Sequence, residues 1–392
     1  MNRPHTNPRR RATTAAALTA LLALAVGACE SDDAAGSASS SALQASAGTT
    51  TLATPATETT PPVTQPPVIE STPPTEPVGA HDRAGPVVTH LATIGTDDFV
   101  TGSTSGPGGA LYVTDGSNGE VLRIDRRDGA VSTLATGLPH KAFQGQDIGG
   151  PVDVAFIGQT AYVLVTLVSG EIFGEPFGDP SAKNGLYRIE RDGTHTLVAD
   201  IGQWSIDNPP EPAFFVDTGV QFSMEPYRDG FLVTDGHHNR VLWVDRDGSI
   251  QEFAAFGNVV PTGLETTGGS VFVTQMGHIP HEPEDGKVVE VRPGGEPFEV
   301  ASGASMLIDV EKGPRGLLYG VSQGQWDGVA EGSRAEPNTG RLVVAGRDGE
   351  LTPVVDDSGK ELVLDRPTSL EFVGNTAYVL SVTGDVYRVD GL

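Results

Sequence analysis

The eight residues His278–Asp285 hold two imidazoles and three carboxylates: His278, His281, Glu282, Glu284 and Asp285. Such groups could ligate zinc, which takes three or four donors, or supply a general base. Pro280 and Pro283 exclude a helix here, so a solvated polar loop competes with both. For a metal set to form, His237 and His238 would have to approach from the matching loop of the preceding repeat. Asp153 and Asp309 occupy one place in an internal repeat, beside Thr101, Thr218, Thr262 and Thr368. Together they offer oxygens of the kind calcium takes six to eight at a time. Gly320–Gly324 spells G-x-S-x-G around Ser322, but that nucleophile works only on a strand-to-helix elbow. Asp245-Arg246-Asp247-Gly248 opens like a calcium loop and lacks the later acids, so a hairpin turn accounts for it. No Walker or dinucleotide fingerprint has the strand–helix setting it would need.

What must position these groups is a repeated β unit. Pro151–Leu164 and Pro367–Leu380 share eight of 14 positions without a gap, and Pro261–Val273 fits the same frame. Weaker copies run through Thr101–Val113, Thr218–Val233 and Ile308–Val321. A loop, a third strand such as Val121–Ile124 and a turn such as Arg191-Asp192-Gly193 follow each copy. Asp-Gly between alternating runs is a hairpin signal, because type I′ turns need positive φ at both central residues. Four antiparallel strands in each of six units predict an all-β, six-bladed β-propeller. The blades fall roughly at 96–138, 149–200, 216–256, 258–302, 306–355 and 362–392. The last lacks its outermost strand, and the segment 87–93 reads like one. An N-terminal strand should therefore close the last blade and hide its open edge.

On this frame the innermost strands align as Thr101, Val152, Thr218, Thr262, Ile308 and Thr368. Next comes Gly102, Asp153, Gly219, Gly263, Asp309 and Ser369. Two explanations stand: six backbones crowding an axis leave room only for small side chains, or the oxygens hold a cation or water. The insertions His140–Gly150, Ser169–Gly185, Ile201–Phe215, Met276–Gly286 and Ser322–Gly340 all belong on one face, the expected ligand face. Trp204, Asp207, His237, His278 and Trp326 lie in its loops, as do Phe214 and Phe215. Loop aromatics of this sort either stack on a flat ligand or cover the blade tops.

A net charge of −26 excludes a nucleic-acid surface. The N-terminus reads as an export signal: four arginines without an acid, then the apolar run Ala15–Val26, too short to span a bilayer. Val26-Gly27-Ala28-Cys29 resembles a bacterial lipoprotein box, and Cys29 is the only cysteine. Residues 1–28 are then a signal peptide, and cleavage takes the net charge from −26 to −30. Residues 29–85, rich in Ser, Thr, Pro and Ala, cannot bury enough apolar area to fold. They form a tether of roughly 40 Å ahead of a propeller over 86–392. The chain would sit outside the cytoplasm as a monomer, at the membrane through lipid alone.

Val198–Pro209, Val260-Pro261-Thr262-Gly263, Pro293-Gly294-Gly295, Val300–Gly303 and Ile308-Asp309-Val310 together resemble the ScyD/ScyE family. These are secreted propellers near the NHL-repeat and gluconolactonase-like proteins. The resemblance implies a six-bladed fold and an extracytoplasmic setting, and carries over no catalytic residue. Gluconolactonase-like propellers hold a divalent metal at the axis through Glu, Asn and Asp; the aligned columns here offer Thr, Gly and Asp. The expectation is a non-catalytic binding or scaffolding module meeting a small molecule, a cell-wall component or an envelope protein on its long-loop face. Two alternatives stand beside it: a metal-dependent lactonase or esterase, and a propeller lyase using His278 or His281 as base. A divalent cation such as calcium, held by Asp153 and Asp309, is the one cofactor candidate.

Overall fold

In the computed structural model, residues 85–94, 101–143, 148–278, 280–329 and 333–392 are described. The signal segment, Cys29 and the tether lie outside them. Six antiparallel sheets of four strands or more account for nearly all the strands. Their inner strands are Ser103–Ser105, Gly150–Ile157, Gln221–Tyr227, Pro261–Thr267, Leu307–Lys312 and Pro367–Val373. Each packs on the next and the last packs on the first, so the ring is closed and the fold is a six-bladed β-propeller.

Burial follows position within a blade. Second strands such as Leu111–Asp115 and inner strands such as Gly150–Ile157 are mostly buried, whereas the outermost strand Val131–Ala135 is mostly exposed. Six hydrophobic clusters fill the six interfaces between blades. Aromatic pairs recur in them, among them Tyr112–Phe156, Tyr162–Phe231 and Tyr319–Phe372, with ring centroids 4.7–5.0 Å apart. In each pair a second-strand Tyr meets a Phe of the next blade, on its inner strand at Phe156 and Phe372 and on its second strand at Phe231.

The last blade is built from both ends of the propeller. Val87–Thr93 pairs antiparallel with Asp385–Asp390, from Val87 opposite Asp390 to Thr93 opposite Asp385. Ala92 and Ile94 are buried between the last blade and the first. Asp385 accepts hydrogen bonds from Thr93 at 2.6 Å and His90 at 3.0 Å, which locks the register at the seam.

The long-loop face is more structured than the sequence suggested. Ser169–Gly185 contains a hairpin of its own, Ser169–Ile172 paired with Glu175–Gly178. Ile201–Asp207 is a short helix whose N-cap Asp200 accepts from the Gln203 amide. A seventh apolar cluster lies beneath these loops, formed by Leu167, Ile172, Phe177, Val216 and Val220.

Candidate functional site: the axial channel and the loop face

Strand register corrects one blade of the sequence alignment. Gln221 pairs with Asp235 as Pro151 pairs with Val165, and the pairing resumes at Met224 with Val233. The third blade therefore contributes Phe222 and Ser223 to the two axial columns, not Thr218 and Gly219. Thr218 is buried away from the axis, its methyl group against Gly170 and Gly202, and its hydroxyl has no hydrogen-bond partner. The Thr-Gly letters at 218–219 had imitated the repeat four residues early.

Thr101, Thr262 and the two aspartates bind blade to blade. Thr101 donates to Val152 O at 2.7 Å, and Thr262 to Leu307 O at 2.9 Å. Thr368 donates to Leu380 O at 3.3 Å within its own blade. Asp153 accepts from its neighbour Val154 N at 2.8 Å and from Met224 N, one blade on, at 2.6 Å. Asp309 does the same with Val310 N and Leu370 N, both at 2.9 Å. Ser369 accepts from Ser103 N at 3.2 Å, the same staple built with a hydroxyl. Gly102 and Gly263 stand where a Cβ would strike the next inner strand at 2.4 Å, so crowding explains the glycines.

Two residues further along, four of the six inner strands carry glutamate: Glu225, Glu265, Glu311 and Glu371. The two axial columns legible in the sequence end two residues before them. Their signal was legible as an apolar residue followed by Glu in Met224-Glu225, Leu264-Glu265, Val310-Glu311 and Leu370-Glu371. With Asp153 and Asp309 they make an acidic channel; a cavity of about 20 Å³, room for one water-sized occupant, is lined by Asp153, Asp309, Glu225, Glu311 and Glu371. Burial pushes Asp309 up to about 7, and raises Asp153 well above the ordinary carboxylate range against two amide donors. Burial and mutual repulsion raise Glu225 and Glu311. Burial together with Asp309 raises Glu371, although Ser105 N donates to it at 3.0 Å. Burial raises Glu265 as well, against the opposing influence of Glu311 and Lys312.

This donor set does not fit a resident calcium. Both oxygens of Asp153 and of Asp309 already accept from amides, and among the described residues no three His, Cys, Asp or Glu converge to hold one ion. The histidines do not assemble either. His238 is buried, with Nδ1 3.1 Å from Asp235 and Nε2 3.0 Å from Val216 O. His237 lies flat on Phe214, the rings 4.8 Å apart. His278 is exposed, and buried His281 meets Trp326 edge-on at 5.6 Å. Ser322 ends a propeller strand, not an elbow.

Trp204 is half-buried on the short helix, under the Arg240 guanidinium at 4.9 Å. Arg240 also pairs with buried Asp235 at 3.0 Å, so Trp204 belongs to a structural network. Asp207 is exposed at the end of that helix and accepts from Gln203 at 3.2 Å. Trp326 donates to Ser333 at 2.8 Å. The residues that do come together on the loop face are phenylalanines. Phe173, at the hairpin tip, stacks on Phe215 (4.5 Å, 8°), Phe215 lies tilted against Phe214 (4.1 Å, 36°), and Phe214 stacks on His237 (4.8 Å, 9°). Phe173 is 43% exposed. Only Phe214, Phe215 and His237 of this ladder were singled out from sequence, because the hairpin that delivers Phe173 was read as plain loop.

No family model matches the chain, and no curated protein is similar to it. Among solved structures it is similar to a structural genomics protein of unknown function from Bacteroides thetaiotaomicron, with 10% identity over 78% of this chain and 76% of that one (TM-score 0.51). Virginiamycin B lyase from Staphylococcus aureus matches at 13% identity over 78% and 99% (0.46). A gluconolactonase from Xanthomonas campestris matches at 14% over 79% and 95% (0.49). At such identities the likeness extends to the fold alone.

Proposed function

We propose that the chain is a non-catalytic, extracytoplasmic binding module, held at the membrane by lipid on Cys29, whose loop face takes a flat, uncharged or cationic ligand. The observation that carries this is the four-ring ladder ending in exposed Phe173. Aromatic side chains offer large contact area and favour stacked partners, and a net charge of −26 disfavours anions over most of the surface. The resemblance to the ScyD/ScyE family supports the extracytoplasmic setting. The candidate acid–base groups support no catalytic role: Asp153 and Asp309 are spent on amides, and the histidines are dispersed. A screen of planar ring compounds by thermal shift, followed by calorimetry on Phe173→Ser, tests the assignment. A compound that binds the native chain and at least about tenfold more weakly to the variant, a difference of 1.4 kcal/mol, is expected. Equal affinity for both proteins would sink the idea.

A further inference from the structure

On the face opposite the long loops, where the first and last blades meet, lies a cavity of about 480 Å³. Arg123, Arg126, Arg127, Arg388, Asp125, Tyr378 and the glycines Gly108 and Gly109 line it. Four guanidinium groups around one opening are unexpected in a chain with twice as many acids as bases.

Their origin is one extra residue. The hairpins of other blades read Glu190-Arg191-Asp192-Gly193 and Asp245-Arg246-Asp247-Gly248; the first blade reads Asp125-Arg126-Arg127-Asp128-Gly129. At the third-strand position facing Tyr, the propeller repeats an arginine paired with the acid two residues on. Arg188 binds Glu190 at 2.7 Å, and Arg388 binds Asp390 at 2.8 Å. In the first blade that acid is Asp125, and the inserted residue lets Arg127 take it instead, at 2.8 and 3.0 Å. Arg123 faces Tyr112 in the same register; it acts on Asp125 only by its charge, and among the described residues no hydrogen bond or close ion pair holds its guanidinium. Arg126 donates to Gly109 O and lies over the Tyr378 ring of the last blade, 5.5 Å from its centroid. Gly109, at φ 68°, keeps the floor bare: a Cβ there would approach Arg126 to 2.9 Å.

We propose that this seam cavity is a binding site for a small phosphate monoester, with Arg123 as its primary contact. Arginine matches phosphoryl oxygens with paired, charge-assisted donors, and a monoester, which carries more than one negative charge and three acceptor oxygens, gains more from neighbouring guanidinium groups than a carboxylate does. The volume falls within the roughly 300–1,000 Å³ of small-molecule pockets, so an organic ester fits better than a bare ion. This site is on the other face from the aromatic ladder and does not depend on its function. Calorimetry of the full chain with ribose 5-phosphate, inorganic phosphate and acetate is the test, repeated on Arg123→Gln, Arg126→Gln and the exposed Arg191→Gln of the second blade. The sugar phosphate is expected to bind at one site, more tightly than phosphate and far more tightly than acetate. Arg123→Gln should weaken it at least tenfold with an unchanged melting temperature, Arg126→Gln should weaken it too, and Arg191→Gln should not. Absence of binding, acetate binding as tightly, or Arg123→Gln binding as well as the native chain would overturn the site.

Discussion

Acidifying the protein from pH 8 to about 5 is expected to stabilise it, opposite to the usual behaviour of carboxylates held in ion pairs. Burial lifts Asp309 from 3.8 to about 7. An unfolded Asp ionises above about 4, so between about 4 and 7 the folded chain binds the extra proton. The stability tied to that proton is complete below about pH 4 and falls away as the pH climbs toward 7. For Asp309 alone, the displacement corresponds to at most about 4 kcal/mol at 1.36 kcal/mol per pH unit. Asp153, Glu225, Glu265, Glu311 and Glu371 are raised in the same direction, and Lys312 opposes the shift at Glu265. The inner strand Ser103–Ser105 brings no charge to the channel. Asp235 acts in reverse: despite its burial, His238 and Arg240 hold it below the ordinary range, so its contribution is lost below about pH 4. Urea unfolding at half-unit steps from pH 5 to 8 measures the slope, with Glu311→Gln as the diagnostic variant and the exposed Asp348→Asn as control. Glu311→Gln should be more stable than the native chain at pH 8 and should flatten the profile; Asp348→Asn should do neither. A native profile that is flat or rises from pH 5 to 8 refutes the account of the channel.

A chain beginning at Gly95 is expected to melt at least about 5 °C below one beginning at Ala84, because it loses buried Ala92 and Ile94 and bares the Asp385–Asp390 edge. Equal melting temperatures in differential scanning calorimetry would show that the ring does not need its closing strand. Arg240→Ala should cost about 3–5 kcal/mol in chemical denaturation, since it strands buried Asp235 and His238. A loss below about 1 kcal/mol would show that the network is not fully desolvated.

Much of the fold was legible because each blade repeats the same alternation and the same aromatic interlock. The pairing of residues 87–93 with the last blade followed from counting strands. The acidic channel was missed for a local reason. Five of the six inner strands carry a bulge near their start, as between Pro151 and Asp153 or Gln221 and Met224, and a gapless match of Thr-Gly letters cannot see one. The Asp153 staple was equally hidden, since which backbone amide a carboxylate reaches depends on the neighbouring blade. Phe173 escaped notice because a hairpin of two four-residue strands, folded over a satellite apolar cluster, has the composition of a loop.

The bond between Val87 and Asp390 joins positions 303 residues apart. On the ribosome, the first strand of the propeller is among the earliest parts made, and its partner is the last. No intermediate length of nascent chain can complete the circle, and contacts of such separation form slowly. The ring can therefore close only after the strand Asp385–Asp390 has been made, whatever order the other blades form in.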